Sequence, residues 1–242
     1  MFSRFLMKNN TNHMTNRRLF IKQISALSLL SMNGNLFAGN ENNILFEGNR
    51  ETLKEAGPMI PPVPAILLTV NGLENNPAEI SVVWTFVING KPPQIGISVE
   101  DPHMALAMIK HHKEFVLNVP TIAMVEGFDK VDMKSSKIAD KFAISGFTKG
   151  KAQTVNAPTI VESPIHVECK VIHEFRVEPI RTVFIAEVTA TTVLPNVCDA
   201  NGKLIVGNVD FFGMTAGSGE FYTMGKKVGH IGKSVGRDNI KY

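Results

Sequence analysis

Two neighbouring histidines, His111 and His112, are the most inviting metal-binding pair in this 242-residue chain. Adjacent positions on a helix point about 100° apart, so the two cannot close on one ion and read as solvated surface groups. His166 and His173 flank a strand and receive no role. The two cysteines, Cys169 and Cys198, form no CxxC, so neither a zinc site nor a redox dithiol is indicated. Cys169 alternates with Val167 and Val171 and reads as a packing residue on the apolar face of a strand. Cys198 falls in a loop-like stretch, Pro195 to Gly202, and a disulfide between the two stays open. HExxH and a complete Gly-x4-Gly-Lys-Ser/Thr phosphate loop are absent. Taken singly, other candidates are bland. Trp84, the only tryptophan, reads as core among Val82, Val83 and Phe86. Lys141 reads as a solvated helix charge, and Ser98 as a strand end.

The elements that must position these residues are mostly strands. Runs rich in Val, Ile, Phe and Thr, bounded by Asn, Gly and Pro, span 65–70, 80–88, 94–99, 115–119, 166–173, 182–194 and 203–209. Two short helices interrupt them. Asp101-Pro102 offers an N-cap and a first-turn proline ahead of Met104, Ala105, Met108 and Ile109 at helical spacing. Ser135 to Phe142 contains the second. Short strands joined by turns predict a mainly β fold, an antiparallel barrel with short helices rather than a doubly wound parallel sheet. No Gly-x-Gly-x-x-Gly follows a strand, and the glycines from Gly213 to Gly219 read as loop.

The N-terminal stretch carries a different message. Residues 1–38 contain Arg4, Lys8, Arg17, Arg18 and Lys22 and no acid; without them 20 basic residues face 22 acidic ones, a net of −2. No basic face for nucleic acid survives that subtraction. Asn16-Arg17-Arg18-Leu19-Phe20-Ile21-Lys22, followed by a short apolar run, resembles a twin-arginine export signal. The apolar run is shorter than the roughly 20 residues that span a bilayer. The expected organisation is an export signal at 1–39, a linker at 40–60 and one domain at 61–242, with Met14 an alternative start.

Several segments then make sense together. Pro61-x-x-Pro-Ala-Ile-Leu-Leu-Thr-Val, Ser81-Val-Val-Trp84-Thr85, Pro92-Pro93-Gln-Ile-Gly-Ile-Ser98-Val and the helix start at His103 come first. Asp140-Lys141-Phe142, Glu168-Cys169-Lys-Val, Phe184-Ile-Ala-Glu187-Val and Phe221-Tyr222-Thr-Met-Gly225 follow. In order and spacing, from about Pro61 to about Gly229, this series resembles the flavin reductase-like, FMN-binding split-barrel family, in particular its flavoredoxin branch.

The resemblance implies a six-stranded Greek-key barrel, a homodimer, and FMN bound near the subunit interface. It implies that Ser81 and Trp84 line the isoalloxazine and ribityl chain, and that Ile97 and Ser98 lie on a strand whose backbone runs past the flavin. His103 and Met104 fall on the phosphate side, where a helix start is a favourable seat for an anion. Lys141 matches a basic residue that reaches the cofactor, and Arg181 stands where relatives often have His. Ala78 and Met104 depart from the family pattern, so a barrel holding another planar ligand such as haem stays open. The implied activity is an FMN-dependent oxidoreductase taking electrons from NAD(P)H. With the export signal, the alternative is a periplasmic FMN electron carrier that exchanges electrons with a redox protein and has no NAD(P)H oxidase activity. A cytoplasmic location is the alternative to export. No side chain is expected to act as acid, base or nucleophile.

Overall fold

Leu67 and Leu68 are neighbours on one strand, and both are wholly buried. A strand without a solvent face must be covered on both sides, and the topology shows how. The computed structural model describes residues 52–216 and 218–236. The expected export signal and most of the expected linker lie outside the described residues. The chain from Glu55 onward forms one unit.

Through the first half the strands are β1 (Val63–Pro64), β2 (Leu67–Val70), β3 (Glu79–Val82), β4 (Trp84–Gly90), β5 (Pro93–Glu100) and β6 (Glu114–Val119). Helices α1 (Met104–His112), α2 (Val125–Met133) and α3 (Lys141–Ser145) are set among and after them. The second half adds β7 (Lys149–Gly150), β8 (Thr159–Ile160), β9 (Ile165–Val177), β10 (Arg181–Val193), β11 (Phe212–Met214) and β12 (Phe221–Thr223).

Seven strands pair antiparallel in the order β3-β2-β6-β9-β10-β5-β4. The two edge strands, β3 and β4, are consecutive in the chain with only Val83 between them. The sheet must therefore curl until its edges come together. Counting β3 and β4 as one bent strand gives a ring of six, the expected Greek-key split barrel. The single strand expected over 80–88 breaks at Val83, whose amide donates to Ile66 O at 3.4 Å and turns the chain from one edge to the other.

Two apolar layers follow from this curl. Inside, Leu68, Val70, Ile97, Val99, Phe115, Leu117, Cys169, Phe184 and Ala186 form one cluster, to which α1 contributes Ala105, Met108 and Ile109. Outside, Leu67 and Ile80 pack with Phe128, Val131, Phe142 and Phe212 from α2, α3 and β11. Phe128, Phe212 and Phe221 meet edge to face, with centroids 5.3, 5.6 and 5.5 Å apart. Each such pair adds about 0.5–1.5 kcal/mol beyond its buried area. Gly96 lies under the Phe86 ring, where a Cβ would come within 2.4 Å of ring carbons, so any side chain there would push the half-exposed ring aside.

The structure corrects four local expectations. The second helix begins at Lys141, not at Ser135, because Asp140 accepts hydrogen bonds from the amides of Phe142 (2.9 Å) and Ala143 (3.5 Å) and so starts it there. Gly146, with φ 76°, ends it. Helix α2 has no counterpart in the sequence reading. Residues 203–209 form no strand; Leu204 bridges to Cys198 and a 3-10 turn covers Val206–Asn208, leaving Leu204, Ile205 and Val206 exposed. Gly213 and Met214 belong to β11, not to a loop.

Cys169 packs in the barrel interior as expected, and burial pushes its thiol up to about 12. Both cysteines are free. His112 is not a solvated group: it is half-buried, and its Nε2 donates to Gly72 O at 2.8 Å. No helix among the described residues is long and apolar enough to cross a membrane.

Candidate functional site

Glu79 and Ser81, two residues apart on the edge strand β3, project to the same side. Ser81 Oγ lies 3.4 Å from His103 Nδ1. His103 is the N-cap of α1, with extended backbone and no side-chain cap. The sequence places that cap at Asp101, with Pro102 first in the helix. Instead His103 N donates to Glu100 O (3.1 Å), closing a turn over Asp101-Pro102. The Asp101 carboxylate is taken by the Arg176 guanidinium, which holds it below its ordinary pKa. The acid therefore points away from the helix start. Met104 opens the helix and packs partly against the barrel core.

His103 is the electrical centre of the group. Burial lowers its pKa, and Lys141 and Arg181 act in the same sense against Glu100 and Asp132. On one side of it stands Lys141. Far from being a solvated charge, its side chain is only 3% exposed, and Nζ lies 3.2 Å from Glu79 Oε1, itself on a side chain 5% exposed. The contact is off the hydrogen-bond axis, and Glu79 Oε1 is left buried without a hydrogen bond. Burial raises the Glu79 pKa against the opposing pull of Lys141.

Arg181 also acts on His103 and brings Trp84 into the group. The guanidinium lies over the indole, 4.1 Å from the ring centroid, and Nη2 donates to Glu100 Oε2 at 3.0 Å. Arg181 and Glu100 are register partners across β10 and β5, as Trp84 and Ser98 are across β4 and β5. Trp84 is 44% exposed, so it is not a core residue. Ser98, half-buried, neighbours it.

Ile97 is set apart from the group. Its side chain is wholly buried in the barrel, and its strand is paired on both sides, to Thr85 and to Phe184. Two acids that sequence reasoning passed over belong to the site: Glu79, partner of Lys141, and Glu100, partner of Arg181. Glu79 had a signal, since it shares a strand face with Ser81.

The arrangement offers a flat, half-exposed aromatic surface bordered by a cation, then a hydroxyl–imidazole pair, then a buried lysine. That suits a planar ring with a polar, anionic tail. Among the described residues no group of His, Cys, Asp and Glu is placed to hold a metal ion. Two open surface depressions, about 540 and about 430 Å³, lie elsewhere. The first is lined by Gly72–Asn76 with His111 and His112, and the second by Asn71, Ala78 and the segment 149–158; neither gathers a convergent polar set.

Comparison with known proteins gives the group a context. A model of the flavin reductase like domain matches residues 61–206. The fold is similar to flavoredoxin of Desulfovibrio vulgaris (Miyazaki F), with a TM-score of 0.69 and 24% identity over 75% of this chain and 97% of that one. It is similar to flavoredoxin from Methanosarcina acetivorans, with a TM-score of 0.68 and 24% identity over 77% of this chain and 100% of that one. A third neighbour is the FMN-binding protein from Thermus thermophilus, solved with bound 1-cyclohex-2-enone, with a TM-score of 0.62 and 15% identity over 76% and 97% of the two chains.

Proposed function

The chain belongs to the flavin reductase like domain family, a flavin-linked redox family, and from that premise we propose that it is an oxidoreductase working through bound FMN. The observation that carries this reading is the placing of Trp84. The only tryptophan of the chain presents a half-exposed indole at the edge of the Ser81–His103–Lys141 group, backed by Arg181. An indole is a suitable surface for a tricyclic ring. Ser81 would hold the ribityl chain, and His103 at the helix start and Lys141 the phosphate. Glu79 Oε1, buried beside the Lys141 ammonium with no well-aligned hydrogen bond, is the kind of acceptor that a ligand rich in hydroxyl or N–H groups satisfies. The residues present therefore fit a flavin, with one qualification in charge: Lys141 already has a carboxylate partner.

FMN, when bound, supplies the electron and hydride chemistry. The chain's own part is to orient the ring against Trp84, exclude water with the barrel wall, and tune the site through Lys141 and Arg181. No protein acid, base or nucleophile is required.

NAD(P)H is the proposed electron donor. The twin-arginine stretch, Asn16 to Lys22, favours a second reading: an exported, periplasmic FMN carrier with no NAD(P)H oxidase activity of its own. A homodimer is proposed on the apolar edge strand β4, where Phe86, Val87 and Ile88 are all exposed. The test begins with the visible spectrum of the purified protein and its titration with FMN. A protein that is colourless and takes up no added FMN sinks both readings. If flavin is bound, anaerobic mixing with NADH and NADPH separates them: rapid bleaching identifies a reductase, and its absence a carrier.

A further inference from the structure

The buried pair Glu79–Lys141 poses a problem for any anionic ligand. An anion that lands on Lys141 must either share the cation with Glu79 or displace it. Sharing puts a phosphate beside a buried carboxylate. Displacing leaves that carboxylate unpaired in a site where it is 5% exposed, which is strongly unfavourable for an ionised acid. A third outcome avoids both costs: Glu79 accepts a proton, becomes neutral, and releases Lys141.

We infer that Glu79 is a built-in competitor for Lys141, so that the site takes up FMN together with one proton. The inference rests on the flavin reading above and deepens it. Three features of the structure support it. The two side chains are 3% and 5% exposed, so solvent does not screen their exchange of partners. The facing oxygen, Oε1, makes no hydrogen bond that would hold the carboxylate ionised by itself. The third is Asp140 at the start of α3, whose negative charge favours the neutral form of Glu79 once Lys141 is engaged elsewhere. The Ser136 hydroxyl acts the other way, as a single neutral donor that favours the ionised carboxylate. The charged and titratable groups that face Lys141 are Glu79, His103 and Asp132. Among these, Glu79 alone is buried against the ammonium.

The test is a flavin titration of the full chain against pH. Between about pH 7 and about pH 9 the phosphate of FMN is already a dianion, so its own ionisation contributes little. In that window the native dissociation constant for FMN should rise with pH, by up to about tenfold per unit. Riboflavin, which lacks the phosphate, should show no such rise. Glu79→Gln should bind FMN more tightly than the native chain at the upper end and with a flat pH profile, while its thermal unfolding reports that the barrel is intact. Calorimetry on the native chain, in buffers of different ionisation enthalpy, should find net proton uptake on FMN binding. FMN binding that is flat with pH and takes up no proton overturns the inference while leaving the flavin reading in place. A native chain that rejects both flavins while Glu79→Gln accepts FMN supports it in its strongest form. Rejection of both flavins by both proteins overturns the inference and the flavin reading together.

Discussion

The Arg181 guanidinium lies 4.1 Å from the centroid of the Trp84 ring while Glu100 holds its far edge at 3.0 Å. The cation is thereby fixed in place at the mouth of the site. A stack of this exposure is worth on the order of 0.5–1 kcal/mol, so its removal should scarcely affect folding. Trp84 is the only tryptophan, and its emission reports on this spot alone. We predict that Arg181→Ala shifts the emission and moves the denaturation midpoint little. Trp84→Ala should weaken FMN binding about tenfold, roughly 1.4 kcal/mol. A Trp84→Ala chain that binds FMN as tightly as the native one would remove the indole from the site.

Glu168 anchors a loop rather than a ligand. It is wholly buried and accepts from the amides of Gln153 (2.9 Å) and Thr154 (2.6 Å) and from Thr154 Oγ1 (2.7 Å). Burial alone would raise its pKa, but these donors outweigh burial and hold it below the ordinary 4.5. A depressed folded pKa contributes stability that is present above 4.5 and is lost as pH falls through the folded value. Glu168→Gln should cost about 2–3 kcal/mol near neutral pH, since the amide turns a donor toward other donors. Urea denaturation at neutral pH and below pH 4.5 checks both parts. The variant should lose less of its remaining stability on acidification than the native chain.

These two sites differ in how far the sequence discloses them. β2, β5 and β6 are legible because their apolar runs are bounded by Asn, Gly and Pro, and Cys169 because it alternates with Val167 and Val171. Helix α2 is not, because Val125–Met133 carries Gly127 and four charged residues around Phe128 and Val131. Its apolar stripe is narrow and becomes meaningful only once β11 and β12 bring Phe212 and Phe221 against it. Leu204, Ile205 and Val206 mislead in the opposite sense: they spell a strand, but no neighbouring strand pairs with them in the main sheet. At the site, Lys141 is recognisable within Asp-Lys-Phe, whereas its partner Glu79 lies far off in sequence. Only the fold can pair them. Phe128→Ala tests this account of α2, with an expected loss of about 3–5 kcal/mol because the residue is fully buried against two other rings. A loss under about 1 kcal/mol in thermal or urea unfolding would mean that α2 is not packed as described.

His103 should titrate below the ordinary 6.5, with burial the main cause and Lys141 adding to it. Its folded form binds a proton less readily than its unfolded form. Stability linked to this group is therefore unaffected above 6.5 and falls as pH drops through 6.5 toward the folded value. We predict an imidazole midpoint below 6.5 by NMR and a His103→Gln chain whose stability declines less over that range. A midpoint at or above 6.5 would show the ring to be more open to water or nearer to Asp132.

The pair at Glu79 and Lys141 should also be visible in folding, apart from any ligand. Lys141→Met removes the cation and leaves a buried acid unpaired, which should cost about 3–5 kcal/mol near neutral pH. Because an unpaired buried carboxyl can escape by taking a proton, that loss should shrink as pH is lowered. Adding Glu79→Gln to Lys141→Met removes the stranded charge, so the double variant should be more stable than Lys141→Met alone. The cycle is read from urea denaturation of the four proteins. Additive losses would mean that the two side chains do not depend on each other, and the 3.2 Å contact would carry no energetic weight.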